Sequence, residues 1–168
     1  MCLIIRAMIT SLVLKDIPQI HRIIRSTGVF TDDEFAVAME LIDHYLTEED
    51  GGGYRMYCYR LEGNVVAGYV CFGPIPMTQS CFDFYWIAVD PSMGRRHVGS
   101  QLMAFMESEI AREGGQKIFI DTSSTAPYEA ARSLYLKRGY RVAAKFDDFY
   151  RPGDHKLVFV KNIIPHTR

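Results

Sequence analysis

The stretch Trp86-Ile87-Ala88-Val89-Asp90-Pro91-Ser92-Met93-Gly94-Arg95-Arg96-His97-Val98-Gly99-Ser100-Gln101-Leu102 decides the reading of this chain. An apolar run gives way to Asp-Pro, then to a short turn with two arginines, and then to apolar residues at helical spacing. The expected local structure is a buried strand, a tight basic turn and the first turn of a helix. A helix start presents N–H groups without intrahelical partners and a partial positive charge. With Arg95 and Arg96 beside it, such a turn suits a diphosphate. It points to a phosphate-bearing ligand rather than a metal or a nucleic acid.

Working outward, Cys81 to Val89 is nearly all apolar or aromatic, which suits a central strand covered on both faces; Asp83 is its only charge. Val98, Leu102, Phe105, Met106 and Ile110 repeat at helical spacing until Gly114-Gly115. Upstream, Met1 to Met8 reads as a first strand rather than a signal peptide, because Arg6 interrupts it and no basic segment precedes it. Asp16 to Arg25 reads as a helix with Pro18 in its first turn and Gly28 after it. Thr31-Asp32-Asp33-Glu34 has the form of a capping box, opening a helix to about Leu46. Tyr54 to Leu61 and Val65 to Phe72 read as strands joined by a turn at Glu62-Gly63-Asn64. Downstream, Lys117 to Asp121 is a short strand and Ala126 to Arg138 a helix. Arg141 to Phe146 and Leu157 to Val160 close the chain around Arg151-Pro152-Gly153-Asp154. The order β-α-α-β-β-β-α-β-α-β-β implies a mixed α/β (α+β) architecture, read as a single domain over 1–168.

Composition narrows the partners. A formal net charge of −1 argues against a nucleic-acid binder, which would carry a basic face. No apolar run is long enough to span a membrane. None of the four cysteines, Cys2, Cys58, Cys71 and Cys81, forms a C-x-x-C pair, and no histidine pair has zinc-ligand spacing, so no metal is expected. The cysteines read as free thiols in a reducing cytosol, and the expected location is the cytoplasm.

Three local patterns in this order resemble the GNAT superfamily of acyl-CoA-dependent N-acyltransferases, over nearly the whole chain. The first is Trp86 to Pro91 with the basic turn that follows. The second is Tyr128-Glu129-Ala130-Ala131-Arg132-Ser133-Leu134-Tyr135-Leu136-Lys137-Arg138-Gly139-Tyr140, with its Leu-Tyr pair and closing Gly-aromatic. The third is Asp148-Phe149-Tyr150-Arg151-Pro152-Gly153-Asp154, which resembles a prokaryotic subgroup whose substrates are mostly undefined. The family turn usually reads Gln/Arg-x-x-Gly-x-Gly/Ala. Here Gly94 stands at the Gln/Arg position and His97 at the first glycine, while Gly99 fits. Tyr128 stands where many members have an asparagine. The resemblance implies a mixed, mostly antiparallel sheet of about seven strands flanked by about four helices.

It also implies acetyl-CoA as cosubstrate, bound at the splay between the Cys81–Val89 and Lys117–Asp121 strands. Gly94, Arg95, Arg96, His97, Val98, Gly99 and Ser100 would hold its diphosphate, chiefly through the N–H groups of Arg96 to Ser100; the other reading is a solvated strand-to-helix turn. His97 would then need a φ that an L-residue accepts. Ile87, Ala88 and Val89 would run beside the pantetheine, with one N–H near Ile87 or Ala88 for the thioester oxygen. Tyr128 and Arg132 would line the same cofactor. Tyr135 would be the general acid for the leaving thiolate, since phenol and thiol pKa values, roughly 10 and 8.5, are close; its other reading is a core aromatic.

The base is Asp83, whose burial would raise its pKa, or else a carboxylate paired at the strand's end. Glu34 is the second candidate, and a helix cap is its other reading. Asp148, Tyr150 and Asp154 would line the acceptor site, with Phe30 and Phe35 opposite and Tyr85 beside Asp83. The expected reaction is N-acetylation of a small-molecule or peptide amine by direct attack in a ternary complex. A homodimer is compatible with the family. The rival readings are a non-catalytic acyl-CoA-binding regulatory domain and a nucleotide-phosphate enzyme. The latter lacks the Gly-Lys-Ser/Thr ending of a P-loop.

Overall fold

The computed structural model describes residues 7–94 and 96–163. It contains β1 (Met8–Ser11), α1 (Ile17–Thr27), α2 (Asp32–Thr47), β2 (Arg55–Leu61), β3 (Val65–Pro74), β4 (Cys81–Val89), α3 (Val98–Arg112), β5 (Lys117–Ser123), α4 (Glu129–Lys137), β6 (Arg141–Arg151) and β7 (Asp154–Asn162). The seven strands form one sheet in the order β1-β2-β3-β4-β5-β7-β6. Pairings β1–β2, β2–β3, β5–β7 and β6–β7 are antiparallel, and β4–β5 is parallel. The expected mixed α/β class, strand number and helix number hold. Among the described residues no helix is long and apolar enough to cross a membrane.

The chain divides into two compact units, Met1–Phe72 with Trp86–Phe105, and Gly73–Tyr85 with Met106–Arg168. In the first, α1 buries Ile20, Ile23 and Ile24, α2 buries Ala38 and Ile42, and α3 contributes Val98 and Leu102. These spacings of three and four residues put the apolar side chains on one face of each helix. Thr31 caps α2: its hydroxyl accepts from the Glu34 N–H, and the Glu34 carboxylate accepts from the Thr31 N–H at 2.8 Å. β3 is buried from Val66 to Gly73. A Cβ on Gly68 would lie 2.9 Å from the Ala88 carbonyl oxygen, so β3 and the end of β4 approach closely only because residue 68 is glycine.

One charged pair lies inside this unit. Asp16 is 1% exposed and Arg60 6%. Arg60 donates to both Asp16 oxygens, at 2.7 and 2.6 Å, and to the Thr10 hydroxyl at 2.6 Å. Asp16 also accepts from the Val13 N–H at 2.9 Å. The bidentate fork and the extra donor satisfy groups that would otherwise be costly to bury.

In the second unit the ladder between β4 and β5 is short, covering Cys81–Asp83 with Lys117–Phe119. Cross-strand partners share a face, so Asp83, Phe119, Asp121 and Lys156 lie on one side. Phe82, Phe84, Ile118, Ile120 and Phe159 form the other, buried side. Glu107 of α3 accepts from Arg138 at 2.5 Å and pairs with Lys161 of β7 at 2.9 Å.

Several boundaries differ from the sequence reading. The first strand is Met8–Ser11; Met1 to Arg6, with Cys2, lie outside the described residues. The helix expected from Ala126 begins as a 3-10 turn over Ala126–Tyr128 and becomes α-helical at Glu129. The last two strands are longer than expected, so Asp148 and Tyr150 sit in β6 rather than in a loop. β6 is an edge strand with nearly every side chain exposed, and solvated side chains need no apolar alternation. β4 is not covered on both faces: Phe82, Phe84 and Ala88 are buried, while the residues between them are partly exposed.

Replacing Arg60 with Met should lower stability by about 3–5 kcal/mol, because it strands the buried Asp16 carboxylate. Burial pushes Asp16 up, but the Arg60 and Val13 hydrogen bonds outweigh it and hold the carboxyl below the usual aspartate value. That contribution is complete above the pH at which an unfolded aspartate titrates. It is lost as pH falls from there through the lowered folded value. Thermal unfolding from pH 7 to pH 3 should show a smaller acid-side loss in Arg60→Met than in the parent.

Candidate active site

In the first unit, β4 delivers the chain into the basic turn. The Asp90 N–H donates to the Ala67 carbonyl at 2.9 Å, and the Ala88 carbonyl faces β3 beside Gly68. Strand alternation therefore turns the N–H and C=O groups of Ile87 and Val89 away from β3. Among the described residues of this unit no second strand pairs with that edge of Trp86–Val89. By the same alternation the Ala88 N–H is directed to the β3 side, which favours Ile87 of the two expected thioester-oxygen donors.

The Asp90 carboxylate accepts from the Ser92 N–H at 2.9 Å and the Ser92 hydroxyl at 2.7 Å. These bonds, the hydroxyl first, hold Asp90 below the usual carboxylate range. A 3-10 turn over Pro91–Met93 follows, and α3 starts at Val98. The Gln101 N–H donates to the His97 carbonyl at 3.0 Å, the first bond of the helical ladder. The amides of His97, Val98, Gly99 and Ser100 have no hydrogen-bond partner among the described residues, as a helix start dictates. Arg96 does not fit the expected donor set, because its N–H already donates to the Met93 carbonyl at 3.2 Å. Arg95 lies outside the described residues.

The two departures from the family turn have different consequences. Gly94 has φ −41°, and a Cβ there would meet only the Pro91 carbonyl oxygen, at an ordinary 3.6 Å, so nothing there demands glycine. His97 has φ +56°, in the small left-handed region that an L-residue accepts at a cost. The chain reverses into α3 there, and glycine would do so without strain.

Phe30 stacks on Trp86 with ring centroids 5.2 Å apart. Phe35 does not join it as a wall: Arg25 lies 3.7 Å over its ring, and His21 meets its edge. The Glu34 carboxylate is occupied by the capping box, which favours the cap over the base.

In the second unit, Asp83 is half-buried on β4. Burial raises its carboxyl above the usual value, Asp121 adds to the rise, and Lys156 opposes it. Tyr85 follows two residues on, on the same face by alternation. Tyr135 is 6% exposed, and its ring packs against Phe84, Tyr140 and Phe159. It therefore lies on the face opposite Asp83, and burial pushes its phenol well up. Arg132 has a framework role not foreseen: its Nη1 donates to the Ser123 and Thr125 carbonyls, tying α4 to the end of β5. Tyr128 ends the 3-10 turn before α4 and is partly exposed.

The Asp148–Asp154 segment is a self-braced hairpin. Asp148 accepts from the Gly153 N–H at 2.8 Å and has φ +51°. Asp154 is 4% exposed and accepts from the Ser123 hydroxyl at 2.5 Å. Asp154 is thus an anchor to β5 rather than a pocket residue, while Tyr150 is exposed. Sequence reasoning also missed Asp121 and Lys156, which form an ion pair at 2.5 Å on the Asp83 face. Alternation within Lys117–Asp121 was the available signal for Asp121. Among the described residues no group of acids, histidines and cysteines could hold a metal ion.

His97→Gly should raise stability by up to about 1 kcal/mol, because relief of the left-handed side chain exceeds the added freedom of the unfolded chain. Denaturant unfolding of the variant checks this, and an unchanged or lower midpoint would contradict it.

The acetyltransferase (GNAT) family matches residues 17–140. No curated protein matches the chain. Among solved structures, a protein assigned to the GNAT family from Desulfovibrio desulfuricans is 32% identical. The match covers 94% of this chain and 99% of that one, with a TM-score of 0.88. The ribosomal-protein-S18-alanine N-acetyltransferase of Escherichia coli is 18% identical over 97% of each chain, with a TM-score of 0.75. An aminoglycoside 6'-N-acetyltransferase complexed with coenzyme A is 16% identical over 96% of this chain and 99% of that one, with a TM-score of 0.71. The chain belongs to the GNAT acetyltransferase family.

Proposed function

We propose that this chain is an N-acetyltransferase that moves an acetyl group from acetyl-CoA to an acceptor amine by direct attack, with both substrates bound. The observation that carries the reading is the one-sided pairing of Ile87 and Val89 beside the unpartnered amides that open α3. A pantetheine arm carries amides that can pair with a strand edge, and a diphosphate suits a helix start. The donor set therefore fits coenzyme A.

The roles follow from the chemistry. Val98, Gly99 and Ser100 offer N–H groups to the diphosphate. Ile87 offers its N–H to the thioester oxygen, where negative charge grows as the amine attacks. Bound acetyl-CoA supplies the activated acyl carbon. Asp83 takes the proton that the acceptor ammonium must lose, and burial, which raises its proton affinity above that of an ordinary aspartate, makes it a stronger base for that task. Tyr135, on the opposite face, stays protonated at all relevant pH values. Its phenol is too weak an acid to hand its proton fully to a thiolate, so its role is a hydrogen bond to the departing sulfur. The C–N bond forms as the C–S bond breaks.

Direct attack is favoured over an acyl-cysteine. Cys58 and Cys71 are buried; burial and Asp16 push the Cys58 thiol up to about 12, and burial pushes Cys71 up as well. A thiol that stays protonated is a poor nucleophile. The free state of Cys58, Cys71 and Cys81 also supports a cytoplasmic location. The acceptor in this reading is a small-molecule or peptide amine.

Thermal unfolding tests the reading. Acetyl-CoA at about a hundred times its dissociation constant should stabilise the protein by roughly 2.7 kcal/mol, and ATP should not. Tyr135→Phe should keep that stabilisation and lower kcat about a hundredfold on an acceptor found by amine screening. No shift with acetyl-CoA, or an equal shift with ATP, would remove the acetyltransferase reading. Binding without turnover of any amine would favour the non-catalytic alternative.

A further inference from the structure

The face of the second unit that bears Asp83 carries a second carboxylate and an ammonium that the reaction above does not use. Asp83 pairs in register with Phe119, and Asp121 stands two residues beyond Phe119 on the same face. Lys156 reaches back from β7, where it is the register partner of Ser123. Its Nζ lies 2.5 Å from an Asp121 oxygen and 4.8 Å from the Phe149 ring centroid. Lys156 is thus held from two sides, and its side chain is 21% exposed against 50% for Asp121. Neighbouring strands lie about 5 Å apart and two residues along a strand span about 7 Å, so the backbone of Asp121 stands roughly 8 Å from that of Asp83. The other titratable groups on this face near Asp83 are Lys117 of β5, the register partner of Cys81, and Cys81 and Tyr85 of its own strand.

We propose that Asp121 and Lys156 are positioning residues for Asp83. Asp121 fixes the Lys156 ammonium on this face, and the two charges act on the Asp83 carboxyl in opposite directions. A carboxylate alone beside Asp83 would make it hold its proton more tightly, and an ammonium alone would make it release the proton more readily. The pair leaves a net effect between those limits. Phe149 adds a cation–π contact that keeps the ammonium from leaving for solvent. This inference gives Asp83 its setting, and its value for catalysis rests on the base role proposed above.

The test is a carbon-detected NMR titration of the side-chain carboxyl of Asp83, assigned by its disappearance in Asp83→Asn. Lys156→Met should raise the Asp83 midpoint by roughly half a pH unit, because Asp121 is left uncompensated. Asp121→Asn should lower it by a similar amount, because one negative charge is lost while the cation remains. Lys156→Arg should leave the midpoint near that of the parent. Far-UV circular dichroism checks that each variant is folded. An Asp83 midpoint that stays put in both Lys156→Met and Asp121→Asn overturns the proposal. Acetyl-CoA stabilisation of the parent protein separates the two claims. If the midpoints move but acetyl-CoA does not bind, the charge coupling stands and the acetyltransferase reading falls.

Discussion

Backbone groups must find partners, and among the described residues of the first unit no second strand pairs with the edge that Ile87 and Val89 turn away from β3. β3 pairs with one edge of this segment, fixed by the Asp90–Ala67 hydrogen bond and by the close approach at Gly68. The opposite edge offers two N–H and two C=O groups in extended geometry. An unpaired strand edge is normally a liability for a soluble protein. Here it leads directly, through the Asp90-capped turn, to the unpartnered amides at the start of α3. A ligand with amides at one end and a diphosphate at the other answers both needs. In the proposed reading the constraint lies in the backbone, so the turn can carry Gly94 and His97 in place of the usual residues.

The sequence made some of this legible. β4 was readable to its exact bounds because apolar residues fill it and Asp-Pro ends it. The capping box at Thr31 and Glu34 was readable because both partners lie within four residues. Interactions that depend on strand pairing were not. Nothing near Lys156 in sequence announces that it meets Asp121, 35 positions away. Nothing in Arg132 shows that its guanidinium will span two carbonyls rather than face a ligand. β6 was truncated at Phe146 because an exposed edge strand needs no apolar pattern.

Charged pairs in this protein do different work according to their burial. Arg60 and Asp16 lie almost wholly out of water with nearly every donor and acceptor engaged, and their contribution is to hold β1, β2 and the start of α1 in one arrangement. Asp121 and Lys156 are partly solvated, so their mutual attraction adds little to stability. Their field still reaches a half-buried neighbour. The same chemistry is structural in one setting and tuning in the other.

The most direct measurement is amide hydrogen exchange, read by NMR, at Ile87, Ala88, Val89 and Asp90. In the free protein, Ile87 and Val89 should exchange faster than Ala88 and Asp90, whose N–H groups face β3. Saturating acetyl-CoA should slow Ile87 and Val89 while leaving the other two unchanged. Equal protection of all four in the free protein, or no response of Ile87 and Val89 to acetyl-CoA, would contradict the account.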